Sequence, residues 1–394
     1  MAFDFTTPKD GFAGRSAKWG LMDAVLDGGA PDDAMPMWIA QMDFQPAPVL
    51  QQRMRALTDT GEYGYFTGLD EFFASVAWWY ENRHGWTPDT RHMFATHGLG
   101  NAICMVLQAL TTLGAGVIVF SPVYHEFSRK IAKTGRVMLQ SPLRIDGEGL
   151  FRMDLDGLEA MLTGKEEAVL ISAPHNPAGR VWSAEELQAL GDFCARHDLL
   201  LISDEIHQDL VFSGHRHIPT AVAAPGVLDR LVVTSAASKT FDIAGLRTGV
   251  TIIPDADLRA RFAAFYNGLD IAPNRAGVEL TRAAYSPEGA EWLDELLVVL
   301  DGNRQLFCDG MNAIPGVSAM PMQATFLAWV DFTGTGLTEA EIDARVAGAA
   351  RIVATPGPDL GIGGDHHRRF NFAAPRRMIA EAVERLQEAF ADLQ

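Results

Sequence analysis

The sequence predicts an α/β protein whose mostly parallel sheet is covered by helices on both faces. Three features carry that prediction. Short, near-continuous apolar runs alternate with longer amphipathic stretches. The residues that follow those runs are turn formers and polar groups. After about Arg282 the texture changes, and long helical stretches precede a few strand-like runs. Strands buried on both faces of a sheet read as unbroken apolar runs, and alternating them with helices describes a parallel sheet between helical layers.

Residues 1–48 are rich in turn formers and aromatics, with MPMWIAQMDF as the most structured piece. They read as an extended arm that completes the smaller, C-terminal domain. From about Val49 the pattern becomes helical, through QQRMRALTDT and LDEFFASVAWWYENRHGW. Strand-like runs follow: VIVF at 117–120, VLIS at 169–172, LLLIS at 199–203, LVVTSA at 231–236 and GVTII at 249–253. Between two of them lies SAEELQALGDFCARH, a helix by its apolar spacing, with Ser183 as N-cap. Beyond Arg282, EWLDELLVVLDGNRQLFCDGMNAI reads as a long helix. FLAWVDF, ARIVATP and RRFNFAAP read as strands, and MIAEAVERLQEAFADL as a closing helix. The expected organisation is an arm at 1–48, a large domain at 49–282 and a small α+β domain at 283–394.

Composition narrows the function. The chain has 394 residues, 48% hydrophobic and 21% charged, enough to bury a large core. Its 50 acidic and 32 basic residues give a formal net charge of −18, a surface that repels phosphate backbones and anionic lipid. Nucleic acid and membrane are therefore poor partners, and no apolar segment approaches a membrane span. Cys104, Cys194 and Cys308 are widely spaced, form no CxxC pair and sit in apolar contexts, which favours core packing over metal or redox roles. With an early aspartate and no leading apolar run, a cytoplasmic protein is expected.

In open parallel sheets, ligands bind at the carboxyl ends of the strands. Here VIVF leads into SPVYHEF, VLIS into APHNPAG, LLLIS into DEIH and LVVTSA into ASKTF. Upstream, HGLGNAI opens a helix near Asn101. Each piece alone has an ordinary alternative. Gly98-Leu99-Gly100 is either a tight turn or a helix start offering N–H groups to a phosphate. It is not a dinucleotide fingerprint, because Ile103 stands at the third glycine position. Asp204 and Glu205 are either a cap or a functional pair, and no HxH or HExxH completes a metal shell, so no metal is expected. Asn176 fits a turn, Tyr124 a core edge and Lys239 an exposed helix start. Together they meet the needs of pyridoxal phosphate: an amine for the aldehyde, an acid at the ring nitrogen, a phosphate cradle and a group on the ring face.

The order of phosphate loop, aromatic, Asn-Pro, Asp, Lys and Arg resembles the fold-type I pyridoxal-phosphate-dependent aminotransferase superfamily, from about Met35 to the end. Within it, MPMWIAQMDF, YGYF, RHGW, SPVYHEF, SAPHNPAGRVW, SDEIHQDLVFSGHRH and SKTFDIAGL most resemble the cystathionine β-lyase-like C–S lyases. The resemblance implies a seven-stranded large-domain sheet and a homodimer with shared active sites. It implies that Lys239 bonds covalently to the cofactor and then removes the substrate Cα proton. Asp204 would keep the ring nitrogen protonated, Asn176 and His207 would contact the ring's phenolic oxygen, and Tyr124 would stack on the ring. The phosphate would rest on the N–H groups of Leu99 and Gly100, with Ser238 and Arg247 beside it. Arg369, favoured over Arg368 by its Arg-x-Asn spacing, would grip the substrate carboxylate. Ala40 would line that pocket through its backbone, and Tyr65 would reach into the partner's site.

Two positions depart from the pattern: Ala236 stands where many relatives carry a phosphate-binding serine, and Arg247 where the lyase branch often has lysine or glutamine. The implied activity is α,β-elimination of L-cystathionine or another L-cysteine S-conjugate to pyruvate, ammonia and a thiol. Transamination of an L-amino acid is the alternative, since the same residues serve it. A binding or regulatory protein on this fold would be expected to lack the lysine or the aspartate, and both are present.

Overall fold

The structure, a computed structural model, describes residues 2–24, 26, 29–31 and 33–393. Its centre is a seven-stranded sheet. In spatial order the strands are Met93–Thr96, Gly249–Ile252, Leu231–Ser235, Leu200–Asp204, Glu166–Ser172, Gly116–Ser121 and Val137–Pro142. All neighbours pair parallel except on the two sides of Gly249–Ile252, which runs antiparallel to both of its partners. Successive side chains of the central strands go to opposite faces. Val169, Ile171, Leu201 and Val233 join one core, while Ala168, Leu170, Leu200, Ile202 and Val232 join the other. Those runs are near-continuously apolar because both faces are buried under helices.

The reversal of Gly249–Ile252 has a local cause. The chain between Ser235 and Gly249 holds only tight turns and a short 3-10 segment, Ala244–Leu246, so no crossover helix carries it back across the sheet. It turns round at the edge where it emerged. That turn keeps Lys239 and Arg247 at the same end of the sheet.

Two strands of this sheet were not anticipated from the sequence. Val137–Pro142 is an edge strand with one buried residue, Ser141, so it lacks the apolar run. Met93–Thr96 is only four residues long. The expected helix at Ser183 forms as Ala184–Arg196 with a full capping box: Glu186 N–H donates to Ser183 Oγ at 3.2 Å, and Ser183 N–H donates to Glu186 Oε2 at 2.8 Å. Its buried face carries Leu187, Leu190, Phe193 and Cys194 at helical spacing. Burial of such side chains contributes about 1.5–3 kcal/mol each.

A second, four-stranded antiparallel sheet is built from Ser318–Ala319, Leu327–Asp331, His367–Asn371 and Thr355–Pro356, in that order. The helices Pro287–Asn312 and Arg376–Ala389 pack against each other beside it. The N-terminal stretch is tied here: Met35–Pro36 pairs parallel with Ile352–Val353, and Asn371 N–H donates to the Met37 carbonyl at 2.7 Å. Lys18 and Asp43 form a buried ion pair that also receives the Trp19 indole N–H at 2.8 Å. Asn371 Nδ2 also donates to the Ile39 and Gln41 carbonyls, both at 2.6 Å, which holds this stretch against the second sheet. Among the described residues, no helix is long and apolar enough to cross a membrane.

Candidate active site

Parallel strands that end together deliver their next residues to one edge. The strands ending at Ser121, Ser172, Asp204 and Ser235 do so here, and the cavity at that edge is lined by Tyr124, Asn176, Asp204, His207, Ser238 and Lys239. Leu99, Gly100, Arg247 and Ala40 line the same cavity. Eleven of the twelve residues singled out from the sequence thus gather at one place, counting Arg369, which donates to Asn176 Oδ1 at 3.0 Å. Tyr65 does not: it stands fully exposed in the 61–67 loop, away from the cavity of its own chain.

Each side chain is positioned by its surroundings. Ser172 Oγ donates to the Pro174 carbonyl at 2.9 Å and accepts from Asn176 N–H at 3.2 Å, which shapes the turn that presents Asn176. Thr240, beside Lys239, donates to buried Asp209 at 2.7 Å, and Asp209 also receives the Trp79 indole N–H and a bond from His84, both at 2.8 Å. Asp242 closes the same turn from a left-handed backbone conformation (φ 55°), accepting from Met42 N–H at 2.9 Å and pairing with Lys9. Lys239 Nζ donates to the Ala40 carbonyl at 2.8 Å, so the arm touches the lysine directly. Arg369 also donates to the Trp38 carbonyl and to Thr355 Oγ1, both at 3.0 Å.

Burial sets the electrostatics. It pushes the Asp204 carboxyl up to about 7, against the bond from Ile206 N–H and with the help of the Glu205 charge. It draws the Lys239 ammonium down to about 8, a shift that the Asp242 carboxylate opposes. His207 is held at about 3 by burial and by the charges of Lys239 and Arg369, so its ring is neutral. Burial lifts the Tyr124 phenol to about 12. Arg369 falls only to about 10 and keeps its charge.

These features fit pyridoxal phosphate. The helix Leu99–Leu110 begins after Gly98 (φ 76°) with no side chain capping it, leaving its first N–H groups for an anion. His207 Nδ1 and Arg369 Nε are buried polar atoms with no partner among the described residues, as expected where a polar ligand and its substrate belong. Asp204, Asn176 and Lys239 suit the ring nitrogen, the ring oxygen and the aldehyde. Because the neutral amine attacks the aldehyde, cofactor uptake by the cofactor-free protein should accelerate about tenfold per unit of pH and level off above about 8, the value to which burial brings Lys239. Stopped-flow absorbance across pH 6 to 9.5 measures this; a rate still climbing beyond pH 9.5 would mean an unperturbed lysine.

Sequence reasoning passed over Glu126 and Lys130, which also line the cavity. Their four-residue spacing on the helix that begins within SPVYHEF was the available signal. It also passed over Trp38 and Thr355, whose oxygen atoms orient Arg369 from sequence-distant segments.

Comparison with known proteins identifies the chain's relatives. The family described as aminotransferase class I and II matches residues 35–386. The chain is 35% identical over 383 residues to cystathionine beta-lyase PatB of Bacillus subtilis, covering 96% of this chain and 97% of that one. It is 30% identical over 392 residues to protein MalY of Escherichia coli, covering 98% of each. Among solved structures, cystalysin of Treponema denticola, which contains a pyridoxal 5'-phosphate cofactor, superimposes with a TM-score of 0.94 at 30% identity over the whole of both chains.

Proposed function

The chain belongs to the class I and II aminotransferase family, and from that premise we propose that it is a pyridoxal-phosphate-dependent C–S β-lyase acting on L-cystathionine or another L-cysteine S-conjugate. The observation that carries the reading is the convergence of Lys239, Asp204 and Asn176 on one cavity, with Arg369 bonded to Asn176 at 3.0 Å. Similarity to a cystathionine β-lyase along nearly the full chain favours elimination over transamination.

The residues divide the work as follows. Arg369, already fixed by Trp38 and Thr355, offers its planar fork to the substrate α-carboxylate. Lys239 supplies the amine that takes the proton from the substrate Cα, and a pKa drawn down to about 8 leaves a useful neutral fraction near neutral pH. With the cofactor bound, Asp204 would hold a proton at the ring nitrogen, and Asn176 and neutral His207 would serve the ring oxygen. When bound, pyridoxal phosphate supplies the sink for the electron pair left at Cα. The Cβ–S bond then breaks, the thiolate leaves and takes up a proton, and hydrolysis of the remaining three-carbon fragment gives pyruvate and ammonia.

Exchanging Arg369 for lysine removes the fork but keeps the charge, so Arg369→Lys should lower kcat/KM about tenfold to thirtyfold, mostly through KM. Steady-state kinetics with a cysteine conjugate reads this directly. The exposed Tyr65 supports a homodimer in which that ring enters the partner's site. The three unpaired cysteines fit a reducing cytoplasm. The reaction is tested by incubating the purified holoenzyme with L-cystathionine and no keto acid. Pyruvate and a free thiol in equal amounts are expected. Turnover that needs a keto-acid acceptor and releases no thiol would overturn elimination in favour of transamination, which the same residues can perform.

A further inference from the structure

A phosphate dianion asks more of its cradle than one helix N-terminus. Ala236 offers no hydroxyl near the start of Leu99–Leu110, and the residues beside it that line the cavity are Ser238 and the exposed Arg247. A second cation is present. Lys130, on the helix His125–Lys133, lays its side chain over Gly100. A Cβ built on Gly100 would meet Lys130 Cε at 2.9 Å and Nζ at 3.6 Å. The absence of a side chain at Gly100 is therefore what lets the ammonium reach the helix end. Lys130 is four-fifths buried and pairs with Glu126, which lines the same cavity.

We propose that Lys130 is a ligand of the cofactor phosphate and exchanges Glu126 for it when the cofactor binds. The exchange leaves no orphaned charge, because Glu126 keeps a second partner: Arg129 Nη1 donates to its Oε1 at 2.7 Å while Lys130 occupies Oε2. The inference rests on the pyridoxal phosphate reading of the site and adds a residue that the sequence motifs do not mark.

The test titrates cofactor-free full-length protein with pyridoxal phosphate and, separately, with pyridoxal, which lacks the phosphate. Lys130→Met is expected to raise the Kd for pyridoxal phosphate about tenfold, or about 1.4 kcal/mol, and to leave the Kd for pyridoxal within twofold. Retained pyridoxal binding also shows that the variant folds. Glu126→Gln, which frees the ammonium, is expected to tighten pyridoxal phosphate binding about threefold. Lys133→Met, which removes the exposed cation in the same last turn, should change neither. Unchanged phosphate-cofactor affinity in Lys130→Met overturns the proposal. So does equal weakening by Lys130→Met and Glu126→Gln, which would make the pair a structural brace. A wild type that takes up no pyridoxal phosphate at all defeats the cofactor reading instead, and the two failures are distinct.

Discussion

Lys239→Ala should reduce turnover about 10⁴-fold, the upper end of what a positioned general base contributes, because one side chain has two tasks. In the proposed reaction it captures the cofactor aldehyde, and it then removes the Cα proton. The variant should still bind pyridoxal phosphate, since the Leu99–Leu110 helix start, Asp204 and Asn176 are untouched. It should lose the covalent link. Borohydride treatment followed by peptide mass spectrometry separates the two: the wild type carries the reduced cofactor on the peptide containing Lys239, and the variant carries none. Label on another lysine in the wild type, such as Lys130, would reassign the nucleophile. The structure gives Lys239 the advantage through burial, which draws its ammonium to about 8, and through the Thr240–Asp209 bond that fixes the adjoining backbone.

The parts of this site that were legible in the sequence share a property: each closes or closely follows a strand built on a short apolar run. Asn176, Asp204 and Lys239 come within four residues of such a strand's end, so the period of the sequence itself placed them at one edge. Arg369 was legible by resemblance, through its Arg-x-Asn spacing. What fixes it was not, because Trp38 and Thr355 reach it from the arm and from a two-residue strand, and nothing in those stretches points to Arg369. The same limit hid the edge strand Val137–Pro142, whose mixed exposure removes the apolar signature. Lys130 and Glu126 were hidden for a different reason. On a helix, a Glu–Lys pair at i,i+4 reads as ordinary surface support, and only the missing side chain at Gly100 shows what the pair leans against. The antiparallel turn of Gly249–Ile252 follows from the absence of a helix between Ser235 and Gly249, a feature present in the sequence but quieter than the apolar runs on either side.

Asp204→Asn should lower kcat about 10²–10³-fold. The amide keeps the size of the carboxylate but cannot hold a proton on the ring nitrogen by charge. The lost charge-assisted bond accounts for roughly 1.5–3 kcal/mol, and the weaker electron sink accounts for the rest. If that is the cause, a cofactor methylated at the ring nitrogen, permanently cationic, should restore part of the rate to Asp204→Asn while doing little for the wild type. No recovery would assign Asp204 a role in packing alone.

Stability supplies an independent check with opposite signs in the two forms. In the cofactor-free protein, burial holds the Asp204 carboxyl at about 7, above its ordinary 3.8, so the folded state binds the proton more tightly than the unfolded state does. Its contribution is full below about pH 4 and is lost as pH rises through 7. Cofactor-free Asp204→Asn should therefore be more stable than cofactor-free wild type at pH 8, by on the order of a few kcal/mol, and so melt higher, and the gap should narrow at pH 5.5. With the cofactor bound the order should reverse, since a cationic ring nitrogen now compensates the buried charge. Calorimetric melts of both proteins, with and without pyridoxal phosphate at the two pH values, read all four comparisons. A wild type that outlasts the variant in every condition would mean that Asp204 is a structural carboxylate that the cofactor merely adjoins.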